Sequence, residues 1–125
     1  MADIKDLLGA FQEASFDKVT LYIPTRDRDE KPVEFESWVA EAMTLLSEIG
    51  GGATRLPPAE GAWLRDDGQL IKEHIHMVYS YVDGDAFLKS GQKIREFAHR
   101  MGRELNQGEI VIEVTDRLFR IRTYD

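Results

Sequence analysis

The chain has 125 residues, a net charge of −7 and no cysteine. That length suits a single domain, residues 1–125, with one core. The missing cysteines exclude a disulfide framework and thiolate chemistry, and the acidic balance argues against a nucleic-acid partner, which needs a basic surface.

Asp3 can cap a short helix over residues 3–16, with Ile4, Leu7, Leu8 and Phe11 on one face, and residues 1–17 form a helical appendage. Lys18 to Ile23 alternates as a strand, and Pro24 stops it. Thr25 to Lys31 is a charged loop, either simply solvated or a lid beside a site. Glu34 to Ile49 has helical spacing, with Phe35, Trp38, Val39, Ala42, Met43, Leu45, Leu46 and Ile49 on one stripe and Gly50 as C-cap. The segment from Gly50 to Glu73 is the richest in special residues: Gly50, Gly51, Gly52, Gly61 and Gly68, Pro57 and Pro58, and Trp63. Such a connection is where a small domain usually puts its site. Within it, residues 53–56 make a short strand, and residues 62–65 and 69–72 flank an Asp67-Gly68 hairpin turn. The second arm continues to Val82. Ile75, Met77, Tyr79 and Tyr81 share one face of it; His74, His76, Val78, Ser80 and Val82 share the other.

Asp85 can cap the next helix, over residues 85–105, whose stripe is Phe87, Leu88, Gly91, Ile94, Ala98, Met101 and Leu105. Arg95, His99, Arg100 and Arg103 read as a solvated face interleaved with Glu96 and Glu104. Strands follow at 109–114 and 118–124. The central order is βαββαβ, which predicts an α+β, ferredoxin-like antiparallel sheet with both helices on one face. An open face carrying Tyr22, Val78 and Val82 then calls for a partner, and a homo-oligomer is expected.

The opening residues lack the basic and apolar regions of a signal peptide, and no apolar run reaches the ~20 residues of a membrane span. A cytoplasmic protein without a membrane partner is therefore expected. His74 and His76 lack an evident third ligand, so no metal is assigned and polar residues on an exposed or interfacial sheet face are expected there. No glycine loop sits between a strand and a helix to cradle phosphate, and Ser15, Ser37, Ser47, Ser80 and Ser90 lie in no nucleophile motif. What remains is a carboxylate with aromatic company: Glu73, with Trp63, Thr54, Tyr22 and Gln107 on neighbouring segments. Ion pairing and cation–π attraction suit that set to a small cationic substrate.

Gly51-Gly52-Ala53-Thr54, Gly61-Ala62-Trp63, Glu73, and Glu104-Leu105-Asn106-Gln107-Gly108-Glu109-Ile110-Val111-Ile112 together resemble a family of small bacterial and phage proteins. Their layout is similar to the phage-derived S-adenosylmethionine (SAM) lyases, including relatives beside type III CRISPR systems. The resemblance covers residues 18–114 and departs from the family in the stretch between Trp63 and Glu73. It implies a ferredoxin-like homotrimer with sites between subunits, a role in phage defence, Glu73 as the key carboxylate, and Tyr22, Thr54 and Trp63 at substrate contacts. It also implies lactonisation: the substrate's own carboxylate attacks its γ-carbon and expels methylthioadenosine, with SAM or a nucleotide conjugate such as SAM-AMP as substrate and no cofactor. The alternative is a non-catalytic ferredoxin-like protein that binds a small molecule or regulates. A metal enzyme using His74 and His76 stands last.

Overall fold

A computed structural model describes residues 3–14 and 16–125; Ser15, part of the predicted first helix and one of the serines considered above, lies outside them. The elements are α1 (Ile4–Leu8), β1 (Asp17–Pro24), α2 (Glu36–Gly50), β2 (Thr54–Arg55), β3 (Ala59–Leu64), β4 (Leu70–Val82), α3 (Gly84–Glu104), β5 (Ile110–Val114) and β6 (Arg117–Ile121). All six strands form one antiparallel sheet in the order β2-β4-β1-β5-β6, with β3 also paired to β4. This is the ferredoxin-like α+β fold. Its usual second strand is divided into β2 and β3, because Pro57 and Pro58 interrupt the ladder where a backbone N–H would be needed.

Alternation decides which face meets the helices. Val19, Leu21 and Ile23 of β1, Val78 and Val82 of β4, and Ile110 and Ile112 of β5 are buried against Trp38, Val39, Ala42 and Leu46 of α2 and Ile94, Phe97, Ala98 and Met101 of α3. Both helices therefore lie on one side. Val78 and Val82 are fully buried there, so they are not on the open face as the sequence reading had them; Ile75, Met77, Tyr79 and Tyr81 are.

The helix ends differ from expectation in instructive ways. Gly9 adopts a left-handed φ of 67° and ends α1 after 5 residues, none of them buried. Asp83 rather than Asp85 caps α3, accepting from the Ala86 N–H at 2.8 Å. Leu88 is 80% exposed and not part of the core stripe. At the end of α2 the left-handed residue is Gly51 (φ 89°), not Gly50. Gly50 serves close approach instead: a Cβ there would lie 2.8 Å from the Tyr81 carbonyl oxygen. The last strand stops at Ile121, and the chain then folds back over α3. Tyr124 packs where Gly102 has no side chain, and its hydroxyl donates to the Gln107 carbonyl at 3.0 Å.

Candidate functional site

Register places most of the singled-out residues on the open face of the sheet. Residues directly opposite across an antiparallel ladder share a face. Tyr22 pairs with Met77, Thr54 with Tyr79, Gly61 with Glu73 and Trp63 with Ile71. All these positions fall on the side away from the helices. They are spread along it, however. Thr54 lies beside Tyr79, six residues of β4 from Glu73, which is roughly 20 Å at ~3.3 Å per residue. One copy of the chain brings Glu73 and Trp63 together and keeps Thr54 apart from them.

Glu73 stands at the centre of the first group. Gly61 opposite it supplies no side chain, and the gap is filled by Ile75, whose Cδ1 would be 2.8 Å from any Cβ at position 61. Trp63 occupies the diagonal position on β3 and is 49% exposed. Burial pushes the Glu73 carboxyl above the ordinary carboxylate range; Arg26 draws it back down and Glu30 adds to the rise. The partly buried carboxylate thus has an indole beside it and one loop-borne cation near it.

Arg26 and Glu30 belong to the charged loop after β1, which is more than a solvated connection. Asp27 Oδ1 accepts from the backbone N–H groups of Asp29 (2.8 Å) and Lys31 (3.0 Å), closing it on itself. Thr25 Oγ1 donates to the His74 carbonyl at 2.7 Å. Gln107 fixes its base: the buried side-chain Nε2 donates to the Arg26 carbonyl (2.7 Å) and the Leu105 carbonyl (3.0 Å), and Arg28 donates to the Gln107 carbonyl at 2.8 Å. Gln107 therefore reaches the site through the loop that carries Arg26, with both amide hydrogens already engaged.

Tyr22 leans the other way along the face, donating its hydroxyl to Glu113 of β5. Burial, that hydrogen bond and the Glu113 charge push the phenol up to about 12. Glu113 was missed by sequence reasoning. Its signal was a lone carboxylate in the apolar run Ile110-Val111-Ile112-Glu113-Val114, and β-alternation from Ile112 would have put it opposite the core. At the Thr54 end, Gly50 to Gly52, Thr54, Tyr79 and Tyr81 border an open cavity of about 470 Å³. Lys18 Nζ lies 4.3 Å from the Tyr79 ring centroid there.

The two histidines separate. His76 is buried against the helices, not on an exposed or interfacial face: its ring stacks on Phe35 at 4.3 Å and its Nδ1 meets Arg55 Nη2 at 3.1 Å. Guanidinium only donates, so Nδ1 is the acceptor. Burial and the Arg55 charge hold His76 below the usual imidazole range. His74 is exposed and faces the same side, opposite Glu60. Among the described residues, no group of three or more His, Cys, Asp or Glu is placed to hold a metal. No helix is long and apolar enough to cross a membrane among them.

No protein-family model matches the chain, and neither does any curated protein sequence. Solved structures do match in fold. A phage SAM lyase in complex with S-methyl-5'-thioadenosine superposes with a TM-score of 0.63 at 12% identity, over 90% of this chain and 95% of that one. The phage SAM lyase in its apo state gives 0.62 at 13% identity, over 91% and 97%. A divalent cation tolerance protein (CutA1) from Thermus thermophilus gives 0.51 at 12% identity, over 89% and 88%. At these identities the likeness is one of fold.

Proposed function

We propose that the protein is a small-molecule lyase acting on SAM or a nucleotide conjugate such as SAM-AMP. The observation that carries this reading is Glu73: a partly desolvated carboxylate with an indole on its diagonal, on the open face of a sheet whose whole layout is that of a phage SAM lyase.

The reaction balances within the substrate. Its carboxylate oxygen forms a bond to the γ-carbon, the γ-carbon–sulfur bond breaks, and the electron pair leaves with sulfur as methylthioadenosine. The carboxylate and sulfonium charges cancel as the lactone forms. A protein accelerates such a step by holding the two ends in near-attack geometry and excluding water from charges about to vanish. The substrate's ammonium stays positive throughout, so Glu73 is suited to it: the pairing orients the chain in ground and transition state alike. Trp63 adds a cation–π wall. Thr54 and the Tyr79 cavity would take the nucleoside end. Since ~20 Å separates these two parts in one copy, a compact site would be closed by a second copy, and the working unit in this reading is a homo-oligomer, a trimer. The reading carries with it a cytoplasmic setting and a place in phage defence.

Incubation with SAM and with SAM-AMP, followed by chromatography, is the test. Methylthioadenosine or its AMP conjugate is the expected product. Neither substrate yielding it would overturn the lyase reading, and retained saturable binding without turnover would support the non-catalytic alternative. The homocysteine product would mean methyl transfer.

A further inference from the structure

A second site lies on the helix side of the sheet, away from Glu73. Two helices cover the central strands, but the sheet continues one strand further. Phe119 and Ile121 of β6 pair with Ile112 and Ile110 and so face the helix layer, yet Phe119 remains 42% exposed. The uncovered strip between α3 and β6 is an open groove of about 700 Å³ with an apolar floor. That volume is in the range of small-molecule pockets. Gly91 keeps its helix wall flat: nothing lies within 4 Å of a Cβ placed there.

One end of the groove holds a buried polar group. His99 is 6% exposed and lines the groove. Its Nδ1 accepts from the Asp125 N–H at 2.9 Å, which leaves the ring proton on Nε2. Among the described residues Nε2 has no partner, while no fully buried side-chain polar atom lacks one. Nε2–H therefore still meets open space, and the groove is the space that His99 borders. At the other end stands Arg117. Its guanidinium carbon lies 5.2 Å from the Phe119 ring centroid, and it makes no ion pair among the described residues. The other two arginines of the lining are engaged: Arg95 with Asp125 at 2.6 Å and Arg120 with Glu109 at 2.8 Å. Asp17 accepts from Thr115 Oγ1 at 2.7 Å, and Asp116 makes no ion pair with Arg117 among the described residues.

We propose that this groove binds an elongated amphiphilic acid, its carboxylate on Arg117, its apolar body along Phe119 and Ile121, and a neutral acceptor at its far end on His99 Nε2–H. Arg117 stands at the Val114 end of the β5–β6 ladder and His99, edge-on to Tyr124, lies towards the Ile110–Ile121 end; the ladder between is four strand residues or ~13 Å long. A ten-carbon chain spans that distance.

The probe is 10-hydroxydecanoate, titrated into the whole chain by calorimetry, with decanoate and 1,10-decanediol as partners. Saturable binding at one site is expected. Decanoate should bind roughly five-fold more weakly, the loss of one net hydrogen bond, and the diol weaker still for want of an anion. Gly91→Phe, which fills the groove from a position with free space and is checked by circular dichroism, should abolish binding; Arg117→Gln should bring the acid down to the diol. Absence of binding, a diol that binds as tightly as the acid, or indifference to Gly91→Phe would each overturn the proposal. So would a change of oligomeric mass in Gly91→Phe without ligand binding, since the groove's occupant would then be a second copy. Neither result bears on turnover at Glu73.

Discussion

At the scale of single residues, Glu73 and Tyr22 give opposite kinds of test. Glu73→Gln keeps the shape and removes the charge. In the proposed reaction, kcat/KM should fall by about 10² or more, since the charge-assisted pairing that binds and orients the substrate's ammonium is lost. The exposed Glu96→Gln serves as control and should stay within about twofold, as for a surface charge worth under ~1 kcal/mol. Equal behaviour of the two variants would remove Glu73 from the site. For Tyr22 the readout is titration. Its phenol rises from 10.0 to about 12 in the folded state. The unfolded chain therefore loses this proton first as pH rises, and the stability it contributes, full below pH 10, is lost progressively towards 12. Tyr22→Phe should flatten that fall and delete one phenol from the high-pH end of the tyrosinate absorbance curve. An unchanged curve would contradict the Tyr22–Glu113 pairing. His76 acts at the other end of the scale. Held below 6.5, it stays neutral where the unfolded chain gains a proton, so stability falls as pH drops from 6.5 through its lowered value.

At the scale of elements, the close approach of α2 to β4 sets a second prediction. Gly50→Ala gains up to ~1 kcal/mol of helix propensity, but its methyl would crowd the Tyr81 carbonyl and the Ser80 hydroxyl, which donates to the Gly52 carbonyl at 2.5 Å. Overpacking of that kind costs ~1–3 kcal/mol, so the net effect is destabilising, and a denaturant midpoint that rose would refute it. The same junction illustrates what a sequence conveys. Period-2 alternation in Val19-Thr20-Leu21-Tyr22-Ile23 and the helical stripe of Trp38, Val39, Ala42 and Leu46 were readable because one face of each is buried, and they fixed the ferredoxin-like layout. Three consecutive glycines announced a helix end but not which one turns left-handed and which one touches β4, since that depends on a strand distant in the chain. The β4 faces were separable by alternation, but which of them met the helices was not, and Val78 and Val82 went to the wrong side. His99 fell among charged residues with helical spacing; it is buried, and the chain folds back onto it through Tyr124 and Asp125. Of the candidate site, Tyr22, Thr54, Trp63 and Glu73 were legible as strand positions, and the register puts them on one face. Their spacing along β4 was not, because the sequence does not give the register of β2 and β3.

At the scale of the whole molecule, the open face is the outstanding feature. Trp63 (49%) and Tyr81 (53%) are exposed on it, Leu70 (54%) on the other side of its projecting β3–β4 arm, and Phe11 of the N-terminal segment is 93% exposed. The arm extends past Pro24, where β1 ends opposite Ile75, so the stretch from Leu70 to His74 has no strand on its β1 side. Two-stranded ribbons are marginal by themselves in water, and contiguous apolar surface of this kind usually marks an interaction site. Closed symmetry is the economical way to cover one face with itself, and it would also carry the Glu73 end of one copy towards the Thr54 end of another. Light scattering at micromolar concentration should therefore return a multiple of 14.3 kDa, three-fold in the reading favoured here. Trp63→Glu, a charge placed in that interface, should shift the mass towards one copy while circular dichroism keeps its strand and helix content. If assembly closes the site, wild-type turnover should rise with protein concentration more steeply than linearly across the range in which the assembly dissociates. A wild-type particle of 14.3 kDa would refute the assembly and, with it, a site shared between copies; the Glu73→Gln comparison would still stand for a site within one chain.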